Sequence, residues 1–203
     1  MVDLINRQAR KLPTWVVYLI GFLPMPLLFW QGITGALGAN PVKALEHEYG
    51  ELALQLLILG LAITPARRHL GLNLLKFRRA IGLLSFFYVL AHLLVWLVLD
   101  VQIPSQILAD IVKRPYITVG MVAFVLMVPL AVTSNNGSVR RLGPRWRNRH
   151  RLTYPSAALG ALHYLLLVKG FQLEPLTYLA VILLLLVLRL PIIQDQTAVR
   201  ARE

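Results

Sequence analysis

The sequence predicts an all-α integral membrane protein, a six-helix bundle with its N- and C-termini cytoplasmic. Three observations carry that expectation. Hydrophobic residues make up 57% of the 203-residue chain and mean hydropathy is +0.64, a balance that belongs to membrane proteins rather than to soluble cores. The apolar residues fall into six runs, most of them near the roughly 20 residues that a bilayer crossing takes. Lysine and arginine are much denser in every second connection between those runs, the asymmetry that orients a multi-pass protein.

Taken in order, residues 1–13 form a short basic head carrying Arg7, Arg10 and Lys11. No small-residue cleavage site follows the first apolar run, so an uncleaved anchor is expected. The first span covers 14–33 and should kink at Pro24 and Pro26, which lack donors. The turn-rich stretch GALGANPVKALEHEYG (35–50) leads to a short second span, 49–64, expected to end at Pro65. The connection 66–79 carries Arg67, Arg68, Lys76, Arg78 and Arg79 before a third span at 80–101. In 101–115, Ile103, Ile107, Leu108 and Ile111 suggest an amphipathic piece at the interface. The fourth span is 116–133, with Pro129 inside it. The connection 134–151 is the most basic of all, the fifth span is 152–168, and 169–175 leads to a sixth at 176–190. The tail, 191–203, is polar and reads as disordered.

Of the 21 Lys and Arg, 17 lie in the head, in 66–79, in 134–151 or from Arg189 onward. Only Lys43, Lys113, Arg114 and Lys169 lie in the alternate connections. The third and fifth spans therefore run in the same direction, outward. A net charge of +12 is explained by topology and by anionic lipid, not by nucleic acid. Cysteine is absent, which excludes disulfides, thiolate chemistry, iron–sulfur clusters and thioether-linked heme.

The chemistry-bearing stretch is RHRLTYPSAALGALHYLLLV (149–168), with His150 at its start and His163 deep inside. An imidazole within an apolar span needs a polar partner, so it marks a site until shown otherwise. The natural partner is His92, in RRAIGLLSFFYVLAHLLVWLVL (78–99). His92 lies 13 residues past Arg79 and His163 lies 12 past Arg151, roughly 20 and 18 Å along their helices. Parallel helices then bring both rings to one level in the outer half of the bilayer. Facing imidazoles are the axial ligands that a non-covalent b-type heme requires. The bland alternative, in which each ring makes one interhelical hydrogen bond and holds nothing, suits a lone histidine better than a matched pair.

The pattern resembles the ferric-reductase-like transmembrane family, shared with NADPH oxidases. Within it, the chain is similar to the heme-binding membrane subunits of bacterial periplasmic protein-methionine-sulfoxide reductase systems. The matching pieces are NPVKALEHEYG (40–50), LAITPAR (61–67), AHLLVW (91–96), KRPYITVG (113–120), RRLGPRWRNRHRLTY (140–154) and ALHYLLLVK (161–169). The resemblance implies a ferric-reductase-like transmembrane domain over 14–190, in the bacterial inner membrane. It also implies electron transfer through heme b to a periplasmic molybdenum-containing methionine sulfoxide reductase. Its electrons would come from membrane quinol or a cytoplasmic flavin reductase, and FMN is associated with the family.

The chain departs from the NADPH oxidases, which hold two hemes between two histidine pairs. Here the inner position on the third helix is Arg78 or Arg79, and arginine is no ordinary neutral ligand. His150 lies about 220° round an ideal helix from His163. It reads either as a contact to a second heme, a flavin phosphate or a quinone oxygen, together with Arg78 and Arg79, or as an interfacial histidine among arginines. His47, before the second span, reads as an interfacial residue with a secondary reading as an outer-side contact. His69 reads as solvated surface. Gly82, Gly120 and Gly160 either permit close helix approach or make room for a flat macrocycle.

Two rival functions fit the residues less well. A stand-alone ferric or other metal reductase needs a nucleotide-binding domain, and no G-x-G-x-x-G appears. A histidine-dependent transporter usually carries intramembrane carboxylates, whereas the 9 Asp and Glu fall in loops, the tail or span ends.

Overall fold

The computed structural model describes residues 1–168 and 170–189, and every regular element among them is helical. Helix α1 (Val2–Lys11) precedes α2 (Thr14–Phe22) and α3 (Pro24–Ile33). The head is therefore a helix rather than an irregular lead. Asn6 clasps the distant connection 70–74, donating to the Gly71 carbonyl at 2.9 Å and accepting from the Asn73 amide at 2.8 Å. Helices α2 and α3 meet at Leu23, where the two prolines remove the amides that would continue the ladder.

The largest departure from the expected boundaries is α4 (Pro41–His69). It begins eight residues before position 49 and runs five past position 64. Asn40 caps it, its Oδ1 accepting the Lys43 amide at 3.2 Å, and Pro41 occupies the first turn, where no donor is needed. Pro65 does not end the helix. The carbonyl that it orphans four residues earlier, on Leu61, accepts from Arg189 Nε at 3.2 Å and also from Nη2. A guanidinium thus takes the place of the missing amide.

A short 3-10 turn (Leu75–Phe77) enters α5 (Arg78–Leu94), which continues as a π-helical turn (Val95–Val101) and stops at Gln102, φ 63°. Helix α6 (Pro104–Lys113) is the amphipathic piece, and α7 (Pro115–Val132) follows it. The basic connection 134–151 is not irregular. It holds α8 (Asn136–Leu142), capped by Asn135 through the Ser138 amide at 2.8 Å, and α9 (Pro144–Arg149). Helices α10 (Thr153–Leu167) and α11 (Leu173–Val187) complete the described chain. The expectations for 191–203 lie outside the described residues.

Among the described residues, four helical runs are long and apolar enough to cross a membrane: Thr14–Ile33, Pro41–His69, Leu75–Val101 and Pro115–Val132. Helices α10 and α11 have 15 residues each, roughly 22 Å against a hydrocarbon core of about 30 Å. Helix α4 is the centre. Its Leu54, Leu57 and Leu61 pack with Met127 of α7, Ala157 and Ala161 of α10 and Ile182 of α11. Its Leu45, Tyr49 and Ala53 pack with Tyr88 and Val95. Tyr49 and Tyr88 also donate to the Met25 and Gly21 carbonyls at 2.7 and 2.9 Å, tying the bent first span to the core.

Candidate functional site

A cavity of about 240 Å³, walled chiefly by apolar side chains, lies between α4, α5, α7 and α10. His92 of α5 and His163 of α10 both line it, with ring centroids 6.2 Å apart and ring planes at 82°. Each is held by a backbone carbonyl of a different helix. His92 Nδ1 lies 2.7 Å from the Glu46 carbonyl of α4, and His163 Nδ1 lies 2.6 Å from the Tyr116 carbonyl of α7. A carbonyl only accepts, so both Nδ1 atoms carry the proton. In the neutral tautomer that this bond selects, the lone pair stays on Nε2, which has no hydrogen-bond partner among the described residues.

That arrangement fits a metal held from two sides. Imidazoles bound on opposite faces of one metal, with bonds of about 2 Å, have ring centres roughly 6 Å apart. The carbonyl bond at the far nitrogen is the usual outer support of a ligating histidine, fixing its tautomer and raising its basicity. Two glycines make room for it. A Cβ on Gly50 would stand 3.0 Å from His92 Nδ1, and one on Gly120 would stand 2.8 Å from His163 Nδ1. Between the same helix pairs, buried Ser85 of α5 donates to the Ala53 carbonyl of α4 at 2.9 Å, and buried Ser156 of α10 to the Ala123 carbonyl of α7 at 3.0 Å. The π turn begins three residues after His92 and places buried Trp96 on the cavity wall, the kind of helix irregularity that recurs at functional sites.

His47 also lines the cavity. Its ring centroid is 5.8 Å from that of Tyr164, and its Nε2 is 3.7 Å from a Glu51 carboxylate oxygen. Above the pair, Lys43 Nζ bridges Glu46 at 3.1 Å and Asp100 at 2.7 Å, joining α4 to the π turn.

His150 is placed elsewhere. It is not among the cavity-lining residues, and its ring stacks on Trp146 with centroids 3.8 Å apart. Its Nδ1 lies 3.1 Å from the Trp146 carbonyl and its Nε2 lies 3.4 Å from Ser134 Oγ. Burial, with Arg78, Arg149 and Arg79 nearby, holds its pKa below the usual histidine value, against the opposing pull of the Trp146 carbonyl. Arg79 Nη1 donates to Asn136 Oδ1 at 2.7 Å, tying α5 to α8. His150, Arg78 and Arg79 thus share one electrostatic neighbourhood, and none of them lines the cavity of His92 and His163.

Sequence reasoning named both cavity histidines and Gly120 but missed Gly50 and the two carbonyls. Gly160 meets Leu54 only at ordinary contact, 3.8 Å, and a side chain on Gly82 would meet nothing within 4 Å.

Comparison with known proteins bears on the family. Residues 49–161 match the family model described as ferric reductase like transmembrane component. Among curated proteins, the protein-methionine-sulfoxide reductase heme-binding subunit MsrQ of Brucella ovis is 49% identical over 177 residues, covering 87% of this chain and 80% of the relative. The proteins of that name from Brucella anthropi and Brucella melitensis biotype 2 are 48% and 49% identical over the same coverage. No solved structure matches.

Proposed function

The chain belongs to the ferric-reductase-like transmembrane family, among the MsrQ heme-binding subunits, and on that premise we propose that it is the membrane electron carrier of a methionine sulfoxide reductase system. His92 and His163 would hold the iron of a b-type heme. The observation that carries this reading is the pair itself: two Nδ1-anchored imidazoles, centroids 6.2 Å apart, lining one cavity. When bound, the heme supplies a one-electron carrier cycling between ferric and ferrous iron.

The protein's own contribution is to hold, bury and tune that group. Glu46 and Tyr116 fix the imidazole tautomers through their carbonyls. The leucine-rich walls exclude water, and the Lys43–Asp100 pair closes the rim. Electrons enter from membrane quinol or a cytoplasmic flavin reductase. They leave to a periplasmic molybdenum-containing reductase that repairs oxidised methionine. Six spans, both termini cytoplasmic, cross the bacterial inner membrane. On the cytoplasmic side His150, with Arg78 and Arg79, is the contact for a second heme, a flavin phosphate such as that of FMN, or a quinone oxygen. To serve there, its ring gives up Ser134 and turns from Trp146.

The test is electron transfer. Anaerobically reduced protein, mixed with the partner reductase and a methionine-sulfoxide peptide, is expected to reoxidise at a rate set by partner concentration. A heme that stays reduced in that mixture contradicts the proposal. Orientation is separately accessible because the chain has no cysteine. A single cysteine at Ser138 should label only from the cytoplasmic face, and one at Gln106 only from the opposite face.

A further inference from the structure

We infer that the two histidines sit in two copies of one positioning unit, in which Gly50 and Gly120 set the orientation of the imidazoles. The inference rests on the ligation reading above and adds two glycines and two serines which that reading does not use. Glu46, Gly50 and Ala53 of α4 correspond to Tyr116, Gly120 and Ala123 of α7 at a constant offset of 70 residues. Ser85 and His92 of α5 correspond to Ser156 and His163 of α10 at a constant offset of 71.

Each correspondence is matched by a contact. In both copies a buried serine, seven residues before the histidine, donates to the carbonyl of the alanine. In both, the histidine Nδ1 reaches the carbonyl seven residues before that alanine. In both, the glycine between the two carbonyls lies directly against the imidazole. The serine fixes the sliding register of the helix pair. The missing Cβ lets the ring approach the partner backbone closely enough to donate to it. An added methyl, 2.8 Å from His163 Nδ1 or 3.0 Å from His92 Nδ1, meets the ring atom that makes the bond. The ring must tilt away, losing its carbonyl and part of its basicity.

The test compares Gly50→Ala and Gly120→Ala with Gly82→Ala, whose new methyl meets nothing. Full-length proteins are purified in detergent and read for heme per chain, midpoint potential and the ferric low-spin resonance. Gly120→Ala is expected to lose heme or, where heme stays, to show a raised potential and a shifted resonance. Gly50→Ala is expected to do the same to a smaller degree, and Gly82→Ala to match the parent. Parental values in both cavity-facing variants overturn the inference and leave the ligation reading intact.

If Gly120→Ala does not accumulate, the change is repeated in a His163→Ala background, where the ring it would meet is gone. There it is expected to be harmless, giving the same yield and melting temperature as His163→Ala alone. Continued failure means that the glycine serves helix packing, and overturns the inference. An unchanged low-spin spectrum in His92→Ala and His163→Ala would instead sink the ligation reading, a result the glycine variants cannot imitate.

Discussion

The cavity end and the basic end of the bundle each hold histidines whose Nδ1 is tied to a backbone carbonyl, yet the two ends offer different chemistry. At the cavity, each ring is anchored to a helix other than its own: His92 to α4 and His163 to α7. The anchor therefore braces two helices and leaves Nε2 without a hydrogen-bond partner among the described residues. At the basic end, His150 is anchored to Trp146, four residues earlier in its own chain segment, lies flat on that indole, and turns Nε2 to Ser134. By the 71-residue offset that relates the cavity histidines, His150 answers to Arg79. A ring tied across helices is presented to a ligand; one tied along its own chain, opposite an arginine, has no matching second ring.

The most damaging changes should be at the cavity pair. His92→Ala or His163→Ala is expected to remove the heme spectrum, measured as pyridine hemochrome per chain, while the protein still inserts into membranes. His150→Ala should leave the low-spin signal of the cavity pair in place, and loss of that signal would erase the contrast between the two ends.

Next in size are the serines that hold the helix pairs in register. Ser85→Ala and Ser156→Ala each leave a buried carbonyl without its hydroxyl donor, a loss of about 1–3 kcal/mol. Thermal unfolding of the detergent-solubilised protein should show a lower melting temperature for each. A similar melting temperature in both would mean that the hydroxyls do not set the register.

The smallest effect is with pH. The His150 pKa is lowered by burial and by its arginine neighbours, so the folded state disfavours its charged form. Its contribution is complete above the unfolded value of about 6.5 and is lost progressively as pH falls below it. The parent should therefore be more acid-sensitive than His150→Gln over that window. Parallel melting curves from pH 7 down to 5 would remove this role.

Much of this was legible in the residues. Apolar runs marked the span regions, and matched spacing from arginine clusters paired His92 with His163. The boundaries misled where polar residues sit inside helices. Acidic residues made 41–48 look like a loop, although Asn40 followed by Pro41 is a helix-start signal in its own right. Pro65 suggested a stop because sequence alone could not show Arg189 arriving to bond the Leu61 carbonyl. The basic stretch 134–151 looked irregular because its charge outweighed its capping signal at Asn135. Gly50 escaped notice because a glycine's role depends on what faces it, and that is a tertiary fact. The repeated S-x6-H and G-x2-A spacings were the signal that could have exposed it.

The central claim is that both imidazoles grip one iron, and electron paramagnetic resonance of the purified ferric protein tests it most directly. Two neutral imidazoles with ring planes near 82° should give a low-spin, strongly anisotropic signal that accounts for the iron at the cavity. A high-spin signal there, as from iron with a single histidine, would contradict it.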